Sequence, residues 1–174
     1  EQVESLLGNK YRELTIVYAK EFNPMGTGGA LRNAEQYITT NYALVMNGDS
    51  FVECDFRDYY SWHVRVGANI SMIVKKTLDT SRYGSITLSA EDRITKFQEK
   101  AYNHEKDERF INVGVYLMDH RMFQKIPKSL PVSLEREVFP NLLSEGLFGY
   151  RINGHFIDIG TPQSLIEARA YFRE

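Results

Sequence analysis

Residues 43–46 form a continuous apolar run, Ala-Leu-Val-Met, that ends directly in Asn47-Gly48-Asp49. A short apolar run bounded by a tight turn is typical of a β-strand that is covered on both faces. A pattern with helical spacing precedes this run over residues 28–38, and a second helix and strand follow over residues 56–66 and 70–74. This alternation predicts an α/β fold, a three-layer α/β/α sandwich with a mainly parallel central sheet.

The second half of the chain has shorter elements. We expect short strands, then a capped helix, a further strand and a last helix capped by Thr161 with Pro162 at its first position. These elements are expected at residues 86–88, 93–98, 111–116, 133–143, 156–159 and from 161 onward. Since no linker or internal repeat divides the chain, residues 1–174 are expected to form a single domain.

Charge and hydropathy exclude several classes of protein. The chain has 21 Lys+Arg and 23 Asp+Glu, a net charge of −2, which argues against a protein that binds nucleic acid or anionic membranes. No apolar stretch approaches the ~20 residues of a membrane span, and the opening residues lack the pattern of a signal peptide. A cytoplasmic protein with small-molecule partners is therefore expected. A single cysteine, Cys54, allows no internal disulfide.

Two carboxylates occupy matching positions. Asp49 and Asp158 each end an apolar strand beside a glycine. In open α/β sheets ligands bind beyond the carboxyl ends of the strands, so both would face one crevice if their strands share a sheet. Two carboxylates there would suit Mg²⁺ with substrate phosphate. The competing interpretation is that each aspartate only caps a turn.

Three further patterns allow both a functional and a structural interpretation. The glycine-rich turn at residues 26–30 offers backbone N–H groups and close approach, or serves only as a turn before a helix. Glu99-Lys100 could meet a sugar hydroxyl and a phosphate, or be a solvated pair at a strand end. Asn112, in an apolar strand beside a glycine, could hold a ligand or mark a bulge.

Taken in order, six motifs resemble the sugar-1-phosphate nucleotidyltransferase family, nearest to its heptose and mannose 1-phosphate guanylyltransferase branch. They are Gly26-Thr27-Gly28-Gly29-Ala30, Asn47-Gly48-Asp49, Tyr83-Gly84, Phe97-Gln98-Glu99-Lys100, Asn112-Val113-Gly114-Val115-Tyr116 and Asp158-Ile159-Gly160-Thr161-Pro162. The resemblance covers nearly the whole chain. The segments at residues 133–140 and 156–162 are the ones that resemble the guanylyltransferase branch.

The resemblance implies a Rossmann-like enzyme that transfers a nucleoside monophosphate from an NTP, with GTP favoured, to a sugar 1-phosphate, giving an NDP-sugar and pyrophosphate. It implies a place in nucleotide-sugar supply for polysaccharides. By resemblance, Asp49 and Asp158 would hold Mg²⁺ and Lys100 would bind the sugar phosphate. The remaining positions would bind substrate: Gly26, Thr27 and Gly28 near the nucleobase, Tyr83 as a wall of the sugar pocket, and Gly84, Glu99 and Asn112 at the sugar.

Two departures from the family pattern bear on activity. The family's opening triphosphate-binding signature is absent from this sequence, so we expect an amino-terminally truncated domain lacking about 70 residues of the usual length. Ala101 also stands where many relatives carry Pro. A non-catalytic sugar-nucleotide-binding or regulatory subunit of the same fold is therefore the alternative function, and an uncovered strand edge makes a homodimer one expected form.

Overall fold

The computed structural model describes residues 2–77, 83–98, 109–128 and 131–172. The α-helices within these ranges are α1 (Gln2–Leu7), α2 (Gly26–Ala34), α3 (Phe56–Arg65), α4 (Phe139–Asn141) and α5 (Pro162–Tyr171). The strands are β1 (Lys10–Tyr11), β2 (Leu14–Thr15), β3 (Tyr42–Met46), β4 (Ser50–Val52), β5 (Ile70–Thr77), β6 (Ser85–Leu88), β7 (Ile94–Gln98), β8 (Arg109–Asp119), β9 (Leu147–Ile152) and β10 (Phe156–Asp158). Short 3₁₀ turns lie at Glu35–Tyr37, His120–Lys125 and Leu143–Glu145, and a π-helical turn at Leu134–Val138.

Strand β8 is the centre of a six-stranded sheet. β5 pairs along one side of β8, while β6 and β3 share the other side, β6 near the start of β8 and β3 at its end. β7 pairs with β6, and β9 pairs with β5. The two longest strands, β5 and β8, therefore form the middle of the sheet.

The predicted α/β class and layered architecture are confirmed, but strand direction differs from the expected mainly parallel sheet. β8 is antiparallel to β3, β5 and β6, and the parallel pairing in the described sheet joins β5 to β9. β3 and β5 do run in the same direction, as expected for strands on either side of helix α3. Hydrophobic periodicity reports which face a residue occupies and not which way its strand runs, so the insertion of β8 between them could not be predicted.

The sheet has a hydrophobic core on each face. Val113, Val115 and Leu117 of β8 pack with Tyr59 of α3 on one face. The alternate residues Tyr116 and Met118 pack on the other face with α2, α4 and the neighbouring turns. The period of two along β8 therefore separates two helical layers, which is the three-layer arrangement predicted from the sequence.

Capping side chains fix where the helices begin. Asp55 accepts hydrogen bonds from the N–H groups of Arg57 and Asp58 at the start of α3. Thr161 and Ser164 form a reciprocal capping box at the start of α5. The predicted caps at Thr161 and Ser133 are confirmed.

The helix predicted over residues 133–143 is wrong in its geometry. After Ser133 the chain makes the π-helical turn Leu134–Val138, with the Val138 N–H donating to the Ser133 carbonyl at 3.1 Å, and then only one turn of α-helix. Pro140 has no N–H, so a regular α-helical ladder cannot continue through it.

A second, two-stranded sheet lies beside the first. β10 pairs antiparallel with β4, and its register places Asp158 opposite Ser50. Helix α5 follows β10, with Ser164 and Ala168 buried. Among the described residues, no helix has the length and apolar character needed to cross a membrane.

Candidate active site

A cleft of about 260 Å³ opens beside the carboxyl end of β3. It collects residues from the turn after β3, the middle of β8, the start of α2, the π-helical turn and strand β10. The lining residues are Thr27, Asn47, Asp49, Ser50, Tyr83, Asn112, Val113, Gly114, Tyr116, Glu135, Phe156 and Asp158. Positions far apart in the sequence therefore meet in one site.

Asp49 and Asp158 both line this cleft, as predicted, although their strands do not belong to one sheet. Asp49 follows β3 of the central sheet and directly precedes β4, which pairs with β10. The Ile159 N–H donates to the Asp49 carbonyl at 2.9 Å, which extends that pairing past the strand ends. The small β4–β10 sheet is thus the element that brings the two carboxylates to the same cleft.

Gly114 lets the turn that carries Asp49 pack closely on β8. Its φ is +76°, and an added Cβ would lie 2.3 Å from the Asn47 amide nitrogen. The Asn47 N–H donates to the Gly114 carbonyl at 2.8 Å, so both backbone and side chain of Asn47 rest on this glycine. A residue with a side chain at position 114 would displace Asn47, two residues before Asp49.

A chain of hydrogen bonds crosses the floor of the cleft. Asn112 accepts from the Gly114 N–H at 2.9 Å and donates to the Tyr116 hydroxyl at 2.8 Å. Tyr116 in turn donates to Glu135 Oε1 at 3.1 Å. Burial raises the pKa of the Tyr116 phenol, and the Glu135 carboxylate raises it further, so Tyr116 is a protonated donor.

Two more hydroxyl groups donate to the same carboxylate. Thr27 Oγ1 donates to Glu135 Oε2 at 2.8 Å, and Ser133 Oγ donates to that oxygen at 3.0 Å. Thr27 Oγ1 also accepts from the Leu134 N–H at 2.9 Å. Glu135 is therefore a half-buried carboxylate held by three donors on a wall of the cleft.

The glycine-rich turn has a structural partner. The Gly28 N–H donates to the Val132 carbonyl at 2.9 Å, with the Gly29 N–H at 3.4 Å from the same oxygen. A Cβ on Gly26 would lie 2.4 Å from that carbonyl oxygen. The N–H groups of Gly28 and Gly29 are thus not free for a phosphate, and the turn serves to hold the segment that leads to Glu135.

The remaining predicted positions divide into two groups. Tyr83 lines the cleft and packs edge-on against Phe156, with ring centroids 5.6 Å apart, while Gly84 lies between Tyr83 and strand β6. Glu99 and Lys100 lie outside the described residues. The structure thus brings Asp49, Asp158, Thr27, Tyr83 and Asn112 together.

Seven lining residues had no predicted site role: Asn47, Ser50, Val113, Gly114, Tyr116, Glu135 and Phe156. In the sequence, Glu135 is an acidic residue in the first turn of a predicted helix, a position that favours an interaction with the helix dipole. The sequence pattern around Tyr116 is that of an aromatic core residue in a strand. The sequence pattern around Asn47 is that of a turn residue. The contacts that place these residues against Gly114 and Thr27 are tertiary, so no local sequence pattern predicts them.

The carboxylate pair fits a hard divalent cation. Asp49 Oδ1 accepts from Ser50 Oγ at 3.3 Å, and Asp158 Oδ1 accepts from the Gly160 N–H at 2.6 Å. No group of three or more His, Cys, Asp or Glu suited to a metal occurs within the part of the chain that the structure describes. Two carboxylates are the donor set that Mg²⁺ uses when substrate phosphates complete its coordination.

Proteins of known function are similar to this chain in sequence. The chain is 32% identical over 160 residues to mannose-1-phosphate guanylyltransferase of Mycobacterium tuberculosis, which covers 90% of this chain and 44% of that protein. It is 30% identical over 170 residues to D-glycero-alpha-D-manno-heptose 1-phosphate guanylyltransferase of Aneurinibacillus thermoaerophilus, covering 97% of this chain and 72% of that protein.

Solved structures share the fold. The crystal structure of HddC from Yersinia pseudotuberculosis superposes with a TM-score of 0.83 at 24% identity, covering 98% of this chain and 73% of that one. The chain thus spans less than half of the mycobacterial relative and about three quarters of the Aneurinibacillus relative and of HddC. The family described as nucleotidyl transferase matches residues 1–174. The chain belongs to the nucleotidyl transferase family.

Proposed function

We propose that this chain acts in the transfer of a nucleoside monophosphate, with GTP favoured, from an NTP to a sugar 1-phosphate, giving an NDP-sugar and pyrophosphate. The observation that carries the proposal is the convergence of Asp49, Asp158 and the Glu135 network on one cleft. Two relatives are named as guanylyltransferases of mannose and heptose 1-phosphates. A structure of HddC complexed with GMP-PN also matches, with a TM-score of 0.73 at 25% identity.

In the proposed reaction a phosphate oxygen of the sugar 1-phosphate attacks the α-phosphorus of the NTP. A new P–O bond forms to the sugar phosphate, the bond to the β-phosphate breaks, and pyrophosphate leaves with that electron pair. Both reactants are anions, so catalysis depends on orienting them in line and offsetting their charge. Mg²⁺ bound at the carboxylate pair would neutralise phosphate charge.

The residues of the chain have separate tasks in this proposal. Asp49 and Asp158 hold the cation, and Lys100 is assigned to the sugar phosphate by resemblance alone. Glu135, fixed by its three donors, accepts a hydrogen bond from a sugar hydroxyl, as does an oxygen of Asn112. Tyr83 and Phe156 form an apolar wall for the sugar ring. The proposed reaction proceeds in one displacement, without a covalent enzyme intermediate.

Gly26, Gly28 and Glu99 keep the substrate-binding roles that the resemblance implies, with Gly84 beside the sugar. The Gly28 N–H is already bonded to the Val132 carbonyl and holds the segment that leads to Glu135. We further propose that the reaction belongs to nucleotide-sugar supply in the cytoplasm, where NTP and sugar phosphates are available for polysaccharide assembly.

The test is a matrix of GTP, UTP, dTTP and ATP against mannose, glucose and manno-heptose 1-phosphates with Mg²⁺. Pyrophosphate release and the binding of each substrate are measured for the chain and for Asp49→Asn and Asp158→Asn. We expect each substitution to lower Mg²⁺-dependent binding or turnover by about 100-fold, with little loss of stability. Asp58→Asn is the matched control, since Asp58 is an exposed carboxylate on α3 outside the cleft.

The outcomes separate the candidate functions. Pyrophosphate release that depends on both aspartates supports the transferase. Binding of the NTP and the sugar 1-phosphate without pyrophosphate release supports the non-catalytic subunit. Equal activity in Asp49→Asn and the unaltered chain would refute the metal assignment.

A further inference from the structure

The hydroxyl of Thr27 joins two elements that contact each other at the wall of the cleft. Thr27 is the second residue of α2, and its partners lie in the π-helical turn more than 100 positions later in the chain. Its oxygen accepts from the Leu134 N–H at 2.9 Å and donates to Glu135 Oε2 at 2.8 Å. One hydroxyl therefore fixes both the backbone before Glu135 and the carboxylate itself.

The surrounding contacts make this junction rigid. Leu134 is 2% exposed, so its N–H has no ready access to water if the Thr27 oxygen is removed. The backbone of Val132 is hydrogen-bonded to Met25 and Gly28 on either side of the turn that begins α2. The segment leading to Glu135 is thus built onto the start of α2.

Glu135 retains capacity for one more partner. A carboxylate has about four acceptor sites, and the described donors to Glu135 are Thr27, Ser133 and Tyr116. The residue lines the cleft, so the remaining site can meet a ligand hydroxyl there. A fixed acceptor discriminates between sugars that place a hydroxyl differently, whereas a mobile acceptor adapts to several.

We propose that Thr27 is a positioning residue that sets sugar recognition by fixing Glu135, an inference that rests on the proposed function. Thr27 acts from the α2 side, where the resemblance alone would place it near the nucleobase. Its hydroxyl is required, and its methyl group is not. Loss of the hydroxyl frees Glu135 and leaves the Leu134 N–H without its acceptor.

The test compares Thr27→Val, which is nearly isosteric and lacks the hydroxyl, with Thr27→Ser, which retains it. Dissociation constants are measured by calorimetry with Mg²⁺ for mannose, glucose and manno-heptose 1-phosphates and for inorganic phosphate. We expect Thr27→Val to weaken binding of the preferred sugar 1-phosphate about tenfold and to leave inorganic phosphate nearly unchanged. The ratio of the dissociation constant of the sugar 1-phosphate to that of inorganic phosphate should return to its original value in Thr27→Ser. The same ratio should be unaltered in Thr40→Val, which loses a hydroxyl bonded to the Tyr42 carbonyl.

A double-mutant cycle with Glu135→Gln tests whether Thr27 acts through Glu135. We expect Thr27→Val to add little once Glu135 is changed, while additive losses would overturn the proposal. If Thr27→Val proves unfolded by Trp62 fluorescence, the cycle is run with Thr27→Ala, and the same comparison decides. If Thr27→Val leaves this ratio of dissociation constants unchanged, the role of Thr27 is refuted and the proposed function is not affected. Failure of the unaltered chain to bind any of the sugar 1-phosphates refutes the proposed function and removes the role of Thr27 with it.

Discussion

Substitution of Gly114 by Ala tests how the carboxylate turn is held against the sheet. The added Cβ would lie 2.3 Å from Asn47 Nδ2 and 2.7 Å from Asn47 Cγ, so the Asn47 side chain must move by about 1 Å to reach ordinary contact. The φ of +76° adds a conformational cost of about 1 kcal/mol for a residue with a Cβ. Lost packing of Asn47 adds a further ~1 kcal/mol, which gives a loss near ~2 kcal/mol in the free energy of unfolding.

The same displacement should reach the metal site. Asn47 begins the turn that carries Asp49, and its N–H is bonded to the Gly114 carbonyl. We therefore expect Gly114→Ala to weaken Mg²⁺-dependent binding of a sugar 1-phosphate by about tenfold. Urea unfolding followed by the fluorescence of Trp62, the single tryptophan of the chain, gives the stability, and calorimetry gives the affinity.

Gly48→Ala is the matched control. Gly48 adjoins Asp49 directly, yet an added Cβ there would have no atom within 4 Å. Its stability should stay equal or rise by up to ~1 kcal/mol, because alanine restricts the unfolded chain. Asn47→Ala should relieve the clash in the Gly114→Ala background. If Gly114→Ala is as stable as the unaltered chain, or if its loss is strictly additive with that of Asn47→Ala, the argument from close packing is refuted.

Two further predictions concern stability and association. Burial lowers the pKa of His63 to about 4, so protons bind the unfolded chain more readily, and stability should fall by roughly 1.5 kcal/mol from pH 6.5 to pH 5. Urea unfolding measured at several pH values should show that the free energy of unfolding depends less on pH in His63→Gln than in the unaltered chain. An equal dependence on pH in the two proteins would contradict the assignment to His63. Leu44 and Met46 are exposed on β3, which is paired on one side, with β8, in the described sheet. Leu44→Lys should reduce any self-association seen by sedimentation, while unchanged association would place the contact elsewhere.

Local patterns predicted the elements whose burial has a regular period. α3 was expected at residues 56–66 and spans Phe56–Arg65, and the strand expected at residues 70–74 is the first part of β5. β9 and β4 were missed. β4 has only three residues, and β9 carries a glycine and an arginine within a six-residue strand, so neither has a clear period.

The two aspartates were predicted to meet for a reason that is only half right. Both do end apolar segments, and both line one cleft, but in the described part of the chain their strands lie in two different sheets. They meet because β4 continues from the Asp49 turn and pairs with β10. Pairing between segments about 100 residues apart is a tertiary choice, which the two local motifs do not encode.

Around Glu135 the structure differs from what the local sequence pattern predicts. An N-cap at Ser133 followed by an acidic residue predicts an α-helix, and the cap is present, but the turn is π-helical. Because Pro140 cannot donate to a carbonyl one turn earlier, the regular ladder must be interrupted in this segment. The interruption coincides with Glu135, a carboxylate that takes hydrogen bonds from α2, from β8 and from its own cap. π-helical turns are frequent at functional sites because the extra residue in the turn alters which side chains share a face. The conflict between sequence pattern and structure at residues 133–140 is therefore itself an argument that Glu135 serves the cleft and not the helix.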